Sequence, residues 1–536
     1  MGARWHTACT NRSTERVALG ARAHSAFAPC KARKLPMPPI PVPPTKSRGE
    51  RSCYDAIVVG SGIGGSVVAA SLARRGASVL VLEKNAALGG ILASYRRDGF
   101  KIDVGSHLIS RGEKGPIGIA LRQLGLAEPR FLTHPIPVRS RGMFELAAPA
   151  RRRELPVYAL EAARKLGLSA GEMAGLARML FQVFTLTEAE LRRWDRRTLD
   201  DFIREHTEHP GAYFLFSFLA SIFFVLPPWQ VAAGESIRCL RWVIASYSLS
   251  YVEGGMDSII HALLGLVAPA EGDIVTRCRV VSIREHGQEL VVATEDGSEY
   301  RAQNVICNLA PRDVVSLLDG VELPPEYVAR VNAIRGSGNA HQIKFGLSRP
   351  LIEEGCLIAG VSLGGRTMAD LSLKLMQDTV GAIDAGRVSD PMAIYAPIPT
   401  NYDPSLGPEG AQLVVASIYG PVCEQPADPP ERWQQRIVDA FAQVVPGLRD
   451  ALIFTEFTPV PDVGDWMGKS NNAAISNGQF PGQVGRDRLP VDTPVPGLFI
   501  AGDGAGGRGI GTELATLSGL EAAAAIELRM NSRSAA

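Results

Sequence analysis

The sequence predicts an α/β fold: a doubly wound sheet plus a β-meander, discontinuous along the chain and interleaved with a second, α+β domain. Three observations predict it. Residues 54–84, YDAIVVGSGIGGSVVAASLARRGASVLVLEK, read as strand, helix and strand. From about residue 274 the stretch DIVTRCRVVSIREHGQELVVATEDGSEYRAQNVICN alternates apolar and polar side chains, with turn pairs at His286-Gly287 and Asp296-Gly297. TPVPGLFIAGD, from Thr493 to Asp503, then brings one more buried strand, and a helix follows it to about 530.

The elements follow in chain order. Residues 1–52 carry ten Lys/Arg against Glu15 and Glu50 and end in the proline-dense KLPMPPIPVPPTK. Proline removes backbone donors and few apolar side chains are present, so this stretch cannot build a core. An organelle transit peptide, a plain tail and a start codon upstream of a true start near Met37 all fit it. YDAIVVG is a buried parallel strand, GGSVVAASLARRG a helix of small residues, and ASVLVLEK the next strand. RDGFKIDVGSHLI, residues 97–109, reads as a hairpin or extended crossing segment. Residues 155–245 are helical, with LTEAELRRWDRRTLDDFIREH charged along one side. AYFLFSFLASIFFVLPPW, residues 212–229, is too short before its paired prolines to span a bilayer; a buried or surface-dipping helix fits better. The expected boundaries are an extension at 1–53, first-domain parts at 54–135, 251–330 and 471–530, a helical second-domain part at 136–250, and its remainder at 331–470.

Bulk composition excludes several function classes. A formal charge of +1 over 536 residues gives no global reason to expect nucleic acid. The eight cysteines form no CxxC pair and no metal-ligand spacing, so they read as reduced thiols of an intracellular, cytoplasmic protein, with no metal site expected.

The chemistry begins at Gly60-x-Gly62-x-x-Gly65, which follows a strand and opens a helix. The first glycine makes the turn, the second admits a pyrophosphate to the backbone, and the third lets helix and strand pack closely. The helix N-terminus presents unpaired N–H groups and its dipole to the anion. Glu83, ending the next strand, suits two ribose hydroxyls and repels a 2′-phosphate. An adenine dinucleotide is expected, and the far end of the chain favours FAD over NAD. Asp503 after its strand suits the ribityl hydroxyls, and a helix starting near Gly511 can face the charge that gathers on a reduced flavin.

The pieces VVGSGIGGSVVAASLARRG…VLVLEK, LGGILASYRRDGFKIDVGSH, YVEGGMDSIIHAL, NVICNLAP and TPVPGLFIAGD…GIGTELATLSGLEAA resemble the flavin amine oxidase superfamily. Within it the chain is most similar to the branch of phytoene desaturases, carotenoid isomerases and retinol saturases. The resemblance implies a Rossmann-like FAD-binding domain contacting the cofactor through Gly60, Gly62, Ile63, Gly64, Gly65, Glu83, Lys84, Gly89, Gly90, Val280, Gly502, Asp503, Gly511 and Thr512. One departure is Leu88-Gly89-Gly90-Ile91, where many members have an arginine after the paired glycines; Arg96 or Arg97 is the expected substitute.

The catalytic candidates are His107, Lys344 and Glu513. His107 follows a segment that in the family runs near the flavin. Lys344 falls on a strand that carries a lysine in amine oxidases, with His341 or Gln342 as near-register alternatives. Glu513 follows the last glycines, to touch the substrate side or to cap a helix. Tyr213, Phe214, Phe216, Phe218, Phe223, Phe224 and Trp229 suit either a greasy tunnel or a helix core. The expected function is FAD-dependent desaturation, saturation or isomerisation of an apolar, isoprenoid or carotenoid-like substrate, by hydride exchange with flavin N5. An amine or porphyrinogen-type oxidase using O2 and a non-catalytic prenyl-lipid carrier remain as alternatives. Arg151, Arg152 and Arg153, with Arg192, Arg193, Arg196 and Arg197, suit either peripheral contact with anionic lipid or a solvated face.

Overall fold

The computed structural model describes residues 42–105, 108–127, 129–149, 151–423, 425–509 and 511–534. Its first sheet is built on the strand Cys53–Val59, whose last four residues are all buried. That strand pairs in parallel with Val79–Leu82 on one side and Glu299–Cys307 on the other. Glu299–Cys307 also accepts the C-terminal strand Leu498–Ile500 in parallel, with Cys307 opposite Ile500. Three strands remote in sequence therefore end side by side. The antiparallel run Val280–His286, Glu289–Thr294, Glu299–Cys307 forms the expected meander.

The helix Ile63–Ala73 is buried along its whole length, because its residues are small or apolar on every side. It packs against the last helix, Gly511–Ser534. A Cβ on Gly519 would lie 2.6 Å from the carbonyl oxygen of Gly64, so this crossing needs glycine. The mixed α/β class and the Rossmann-like arrangement are as the sequence predicts.

A second seven-stranded sheet runs Leu452–Thr458, Asn339–Leu347, Gln412–Gly420, Met392–Pro397, Cys356–Val361, Arg139–Gly142, Leu146–Ala147. One face packs on the helix Pro430–Val444 through Phe345, Ile394, Ile437 and Phe441. A helical layer supplies a separate core around Met179, Phe202, Phe224 and Ile237. The aromatic stretch forms the helix Pro210–Phe224, 15 residues long. Among the described residues no helix is long and apolar enough to cross a membrane.

Candidate functional site

The glycine turn is dictated by close approach. Gly60 leaves the first strand at φ +93°. A Cβ on Gly62 would sit 2.4 Å from Asn308 Nδ2, and one on Gly64 2.7 Å from the Gly502 backbone nitrogen. One on Gly65 would sit 2.4 Å from the Gly60 carbonyl, the close helix–strand packing expected of the third glycine. The two ends of the polypeptide thus touch at Gly64 and Gly502.

Buried Glu83 is anchored on both oxygens. Oε2 accepts from Ser61 N at 2.9 Å and Ser61 Oγ at 2.6 Å, and Oε1 accepts from Asn85 N at 2.8 Å. Oε1, with one donor, retains further acceptor capacity. Ser61 Oγ also accepts from Gly89 N at 2.9 Å, and Trp466 Nε1 donates to Gly90 O at 2.8 Å, which ties down the second glycine pair.

Asp503 is held by a different apparatus. Its Oδ2 accepts from Lys469 Nζ at 2.5 Å and Ser476 N at 3.1 Å. Burial pushes this carboxyl up, but the Lys469 charge and the Ser476 bonds outweigh it and hold it below the usual range. Arg488, buried beside it, donates to the carbonyls of Asn477, Asp503 and Gly506 at 2.9, 2.7 and 2.8 Å and fixes the loop. Burial lowers this guanidinium to about 10, offset in part by Asp503 and Glu235.

One cavity of about 1870 Å³ joins these groups to the helical layer. That exceeds the roughly 300–1,000 Å³ of an ordinary ligand pocket. Gly60, Gly62, Ile63, Gly64, Glu83, Lys84, Gly89, Gly90, Val280, Gly502, Asp503, Gly511 and Thr512 all line it, whereas Gly65 lies behind the wall. Its basic lining residues are Lys84, Arg152, Arg279 and Lys469. Arg97 is instead paired with Glu456 at 2.7 Å, and neither Arg96 nor Arg97 reaches the cavity, so Lys84, Arg279 and Lys469 supply the positive charge there.

The catalytic candidates separate. Glu513 lines the cavity, yet its carboxylate is bound by Arg111 Nη2 at 2.6 Å and Nε at 2.7 Å, and by Ser110 Oγ at 3.2 Å. Lys344 lies off the cavity: it is buried beyond its wall and donates to Thr458 Oγ1 at 3.1 Å. Its pKa falls to about 8 through burial, with Glu456 and Asp103 opposing. Gln342, two residues earlier on the same strand face, does line the cavity, and its buried Oε1 has no hydrogen-bond partner among the described residues. His341 points to the other face, against Trp433 and Phe457. His107 lies outside the described residues.

The far arm of the cavity is apolar. Phe214, Phe216, Phe223 and Trp229 line it, but Tyr213 and Phe224 turn into the helical core. The Phe218 side chain lies outside what is described. Leu180, Phe184, Leu240, Val243, Tyr395 and Ile418 complete much of the wall.

Residues 63–527 match the family of flavin containing amine oxidoreductases. The chain belongs to that family. It is 24% identical over 501 residues to the chloroplastic prolycopene isomerase of Arabidopsis thaliana, covering 86% of this chain and 80% of that one. It is also 38% identical over 117 residues to the human (Homo sapiens) all-trans-retinol 13,14-reductase, 21% of this chain and 18% of the other. An oxidoreductase from Methanosarcina mazei has the same fold at TM-score 0.65 and 18% identity, covering 87% and 98% of the two chains. Cyclohexylamine oxidase from Brevibacterium oxydans does so at TM-score 0.62 and 18% identity, covering 89% and 99%. The enzyme is an FAD-dependent oxidoreductase, and the cavity wall fits that cofactor: a glycine cradle closed to a Cβ at Gly62, Gly64 and Gly65, an anchored acceptor in Glu83, cationic Lys84 and Arg279, and Asp503 on the same wall.

Residues that sequence reading missed lie mostly at this junction. Asn308 fills the gap between Gly62, Gly64 and Gly502. It follows directly on Cys307, level with Val59 and Ile500, and the rule that ligands sit at the carboxyl ends of parallel strands was the signal for it. Lys469, Arg488 and Arg111 lie in loops with no such signal.

Proposed function

We propose that this enzyme exchanges a hydrogen pair with a carbon–carbon unit of a long apolar substrate of isoprenoid type, in desaturation, saturation or double-bond isomerisation. The observation that carries this reading is the apolar arm continuous with the cofactor cradle. Relatives named prolycopene isomerase and all-trans-retinol 13,14-reductase support the substrate class. Bound FAD supplies the hydride chemistry. The protein's part is alignment and exclusion of water: Phe214, Phe216, Phe223 and Tyr395 confine a hydrocarbon that offers no polar handle, so shape and apolar burial set its position. Gln342 Oε1 presents an acceptor at the wall, suited to a single hydroxyl or a water. Arg111 neutralises Glu513 and fixes the start of the last helix, so Glu513 serves to position rather than to abstract a proton.

In this reading residues 54–135, 251–330 and 471–530 form the cofactor domain, and 136–250 with 331–470 the substrate domain. Of the readings open for residues 1–52, organelle import is supported by their acid-poor, Arg-rich composition and by the relative named as a chloroplastic isomerase, against the cytoplasmic placement that the thiols suggest. A fluorescent protein fused to that segment would stay cytoplasmic if this part is mistaken.

The function is tested by anaerobic titration of the holoenzyme with carotenoids, retinoids, simple amines and reduced nicotinamides, following the visible flavin band. Polyenes are expected to turn over or to change the flavin's redox state. Reduction by simple amines alone, with peroxide on readmission of air, would sink the proposal.

A further inference from the structure

The surface between residues 151 and 185 has an unusual composition of exposed groups. The helix Leu155–Lys165 exposes Val157 at 71% and Leu160 at 45%. The next helix, Ala170–Thr185, buries Gly175, Met179 and Val183 but exposes Phe181 at 69% and Phe184 at 50%, with Met173 and Ala177 on the same outer stripe. A helix apolar on two faces has a second apolar neighbour to meet, and the described residues cover only one face.

Two further observations identify that neighbour. Residues 151–185 hold six Lys/Arg against three acidic side chains, in a chain of net charge +1. Arg151, Arg152 and Arg153 are exposed directly before the first of these helices, and Arg164 and Arg178 are exposed on the helices themselves. The patch is also the rim of the cavity: Arg152, Pro156, Ala159 and Phe184 are exposed and line it, with Ala162, Leu176 and Leu180 leading inward. By contrast, three of the arginines at 192–197 are engaged. Arg192 lies 3.9 Å from Glu188, Arg196 3.7 Å from Asp487, and Arg197 2.8 Å from Glu205 with its guanidinium over Trp194.

We infer that the helices Leu155–Lys165 and Ala170–Thr185 dock the enzyme on an anionic phospholipid surface, so that the cavity mouth opens into the acyl layer. Val157, Leu160 and Phe181 enter the headgroup–acyl boundary, and Arg151–Arg153 meet lipid phosphates. A water-insoluble substrate then passes from bilayer to cavity without crossing solvent.

The test is co-sedimentation of the holoenzyme with phosphatidylcholine vesicles, with and without phosphatidylglycerol, at low and high salt. It needs no substrate, so its outcome is independent of the hydride-exchange reading. Wild type is expected to pellet with the anionic vesicles and to be partly released by salt. Val157→Ser/Phe181→Ser, which alters exposed side chains off the cavity wall, is expected to bind about tenfold more weakly or worse while retaining its flavin spectrum. Arg151→Ser/Arg152→Ser/Arg153→Ser is expected to lose roughly fivefold per arginine on anionic vesicles only. The control Arg192→Ser/Arg196→Ser binds as wild type. Absence of pelleting, or equal pelleting of the Val157/Phe181 variant, overturns the inference. A dimer that this variant converts to monomer also overturns it and assigns the patch to a second copy.

Discussion

The two arms of the cavity are built on opposite principles. The cofactor arm is a set of backbone turns and anchored charges, and at Gly62, Gly64 and Gly65 no Cβ fits. The apolar arm is a wall of interchangeable hydrocarbon from five or more helices and strands. The first arm is intolerant of single atoms; the second is defined by volume. That difference orders what mutation should do.

The largest effect is expected at Gly64. A valine there would drive its Cβ into the Gly502 nitrogen and Asn308 Oδ1, 2.7 and 2.8 Å away. Gly64→Val should lower FAD occupancy by about 100-fold or more, at a cost above roughly 2.7 kcal/mol, read from the flavin-to-protein absorbance ratio. Retained FAD would show that the cradle is softer than its geometry implies.

Lys469→Met comes next. It leaves the part-buried Asp503 carboxylate without its cation, which costs about 2 kcal/mol. The folded pKa of Asp503 is depressed, so it contributes stability above the ordinary carboxyl range that is lost as pH falls through the folded value. Without Lys469 the folded pKa of Asp503 rises, and the stability that this carboxyl contributes across the acid limb should shrink. Urea unfolding across the acid limb distinguishes the two slopes.

Lys344→Met sharpens the comparison from outside the cavity. The native lysine titrates near 8 rather than 10.5, so the unfolded chain binds more protons between these values and stability rises with pH across that window. The variant should lose this slope and gain about 2 kcal/mol at neutral pH, with unchanged FAD content. A lysine at the reacting centre would instead show as altered flavin spectra.

The smallest effect is expected in the apolar arm. Ala163 lines it from the helix Leu155–Lys165. Ala163→Trp should leave FAD content unchanged and raise KM for a long isoprenoid about tenfold, near 1.4 kcal/mol, with less effect on a short analogue. Equal loss for both lengths would place the defect in the fold rather than in the tunnel.

How far the sequence could be read follows from the same contrast. Gly60, Gly62, Gly64, Gly65 and Glu83 were legible because strand, turn and helix impose them within thirty residues of chain. Asp503 was legible because a strand precedes it. Asn308 and Lys469 were not: Asn308 matters where segments more than one hundred residues away meet it, and Lys469 reaches Asp503 from a loop 34 residues earlier that carries no motif. Lys344 was chosen from the register of a strand; the actual register puts Gln342 at the wall and leaves the lysine buried off the cavity, bonded to Thr458. Of the seven aromatics at 213–229, the helix turns Phe214, Phe216 and Phe223 toward the cavity and Tyr213 and Phe224 away, a choice composition does not contain.

By itself the amino-acid order determined the class of the fold and the strand–glycine–helix turn that suits a dinucleotide, because short-range sterics leave few alternatives there. Only the tertiary structure decided which ion pairs hold the cradle shut, which aromatic faces line the tunnel and where its mouth opens. Those outcomes depend on packing between distant segments, where many side chains of similar hydrophobicity compete for the same space.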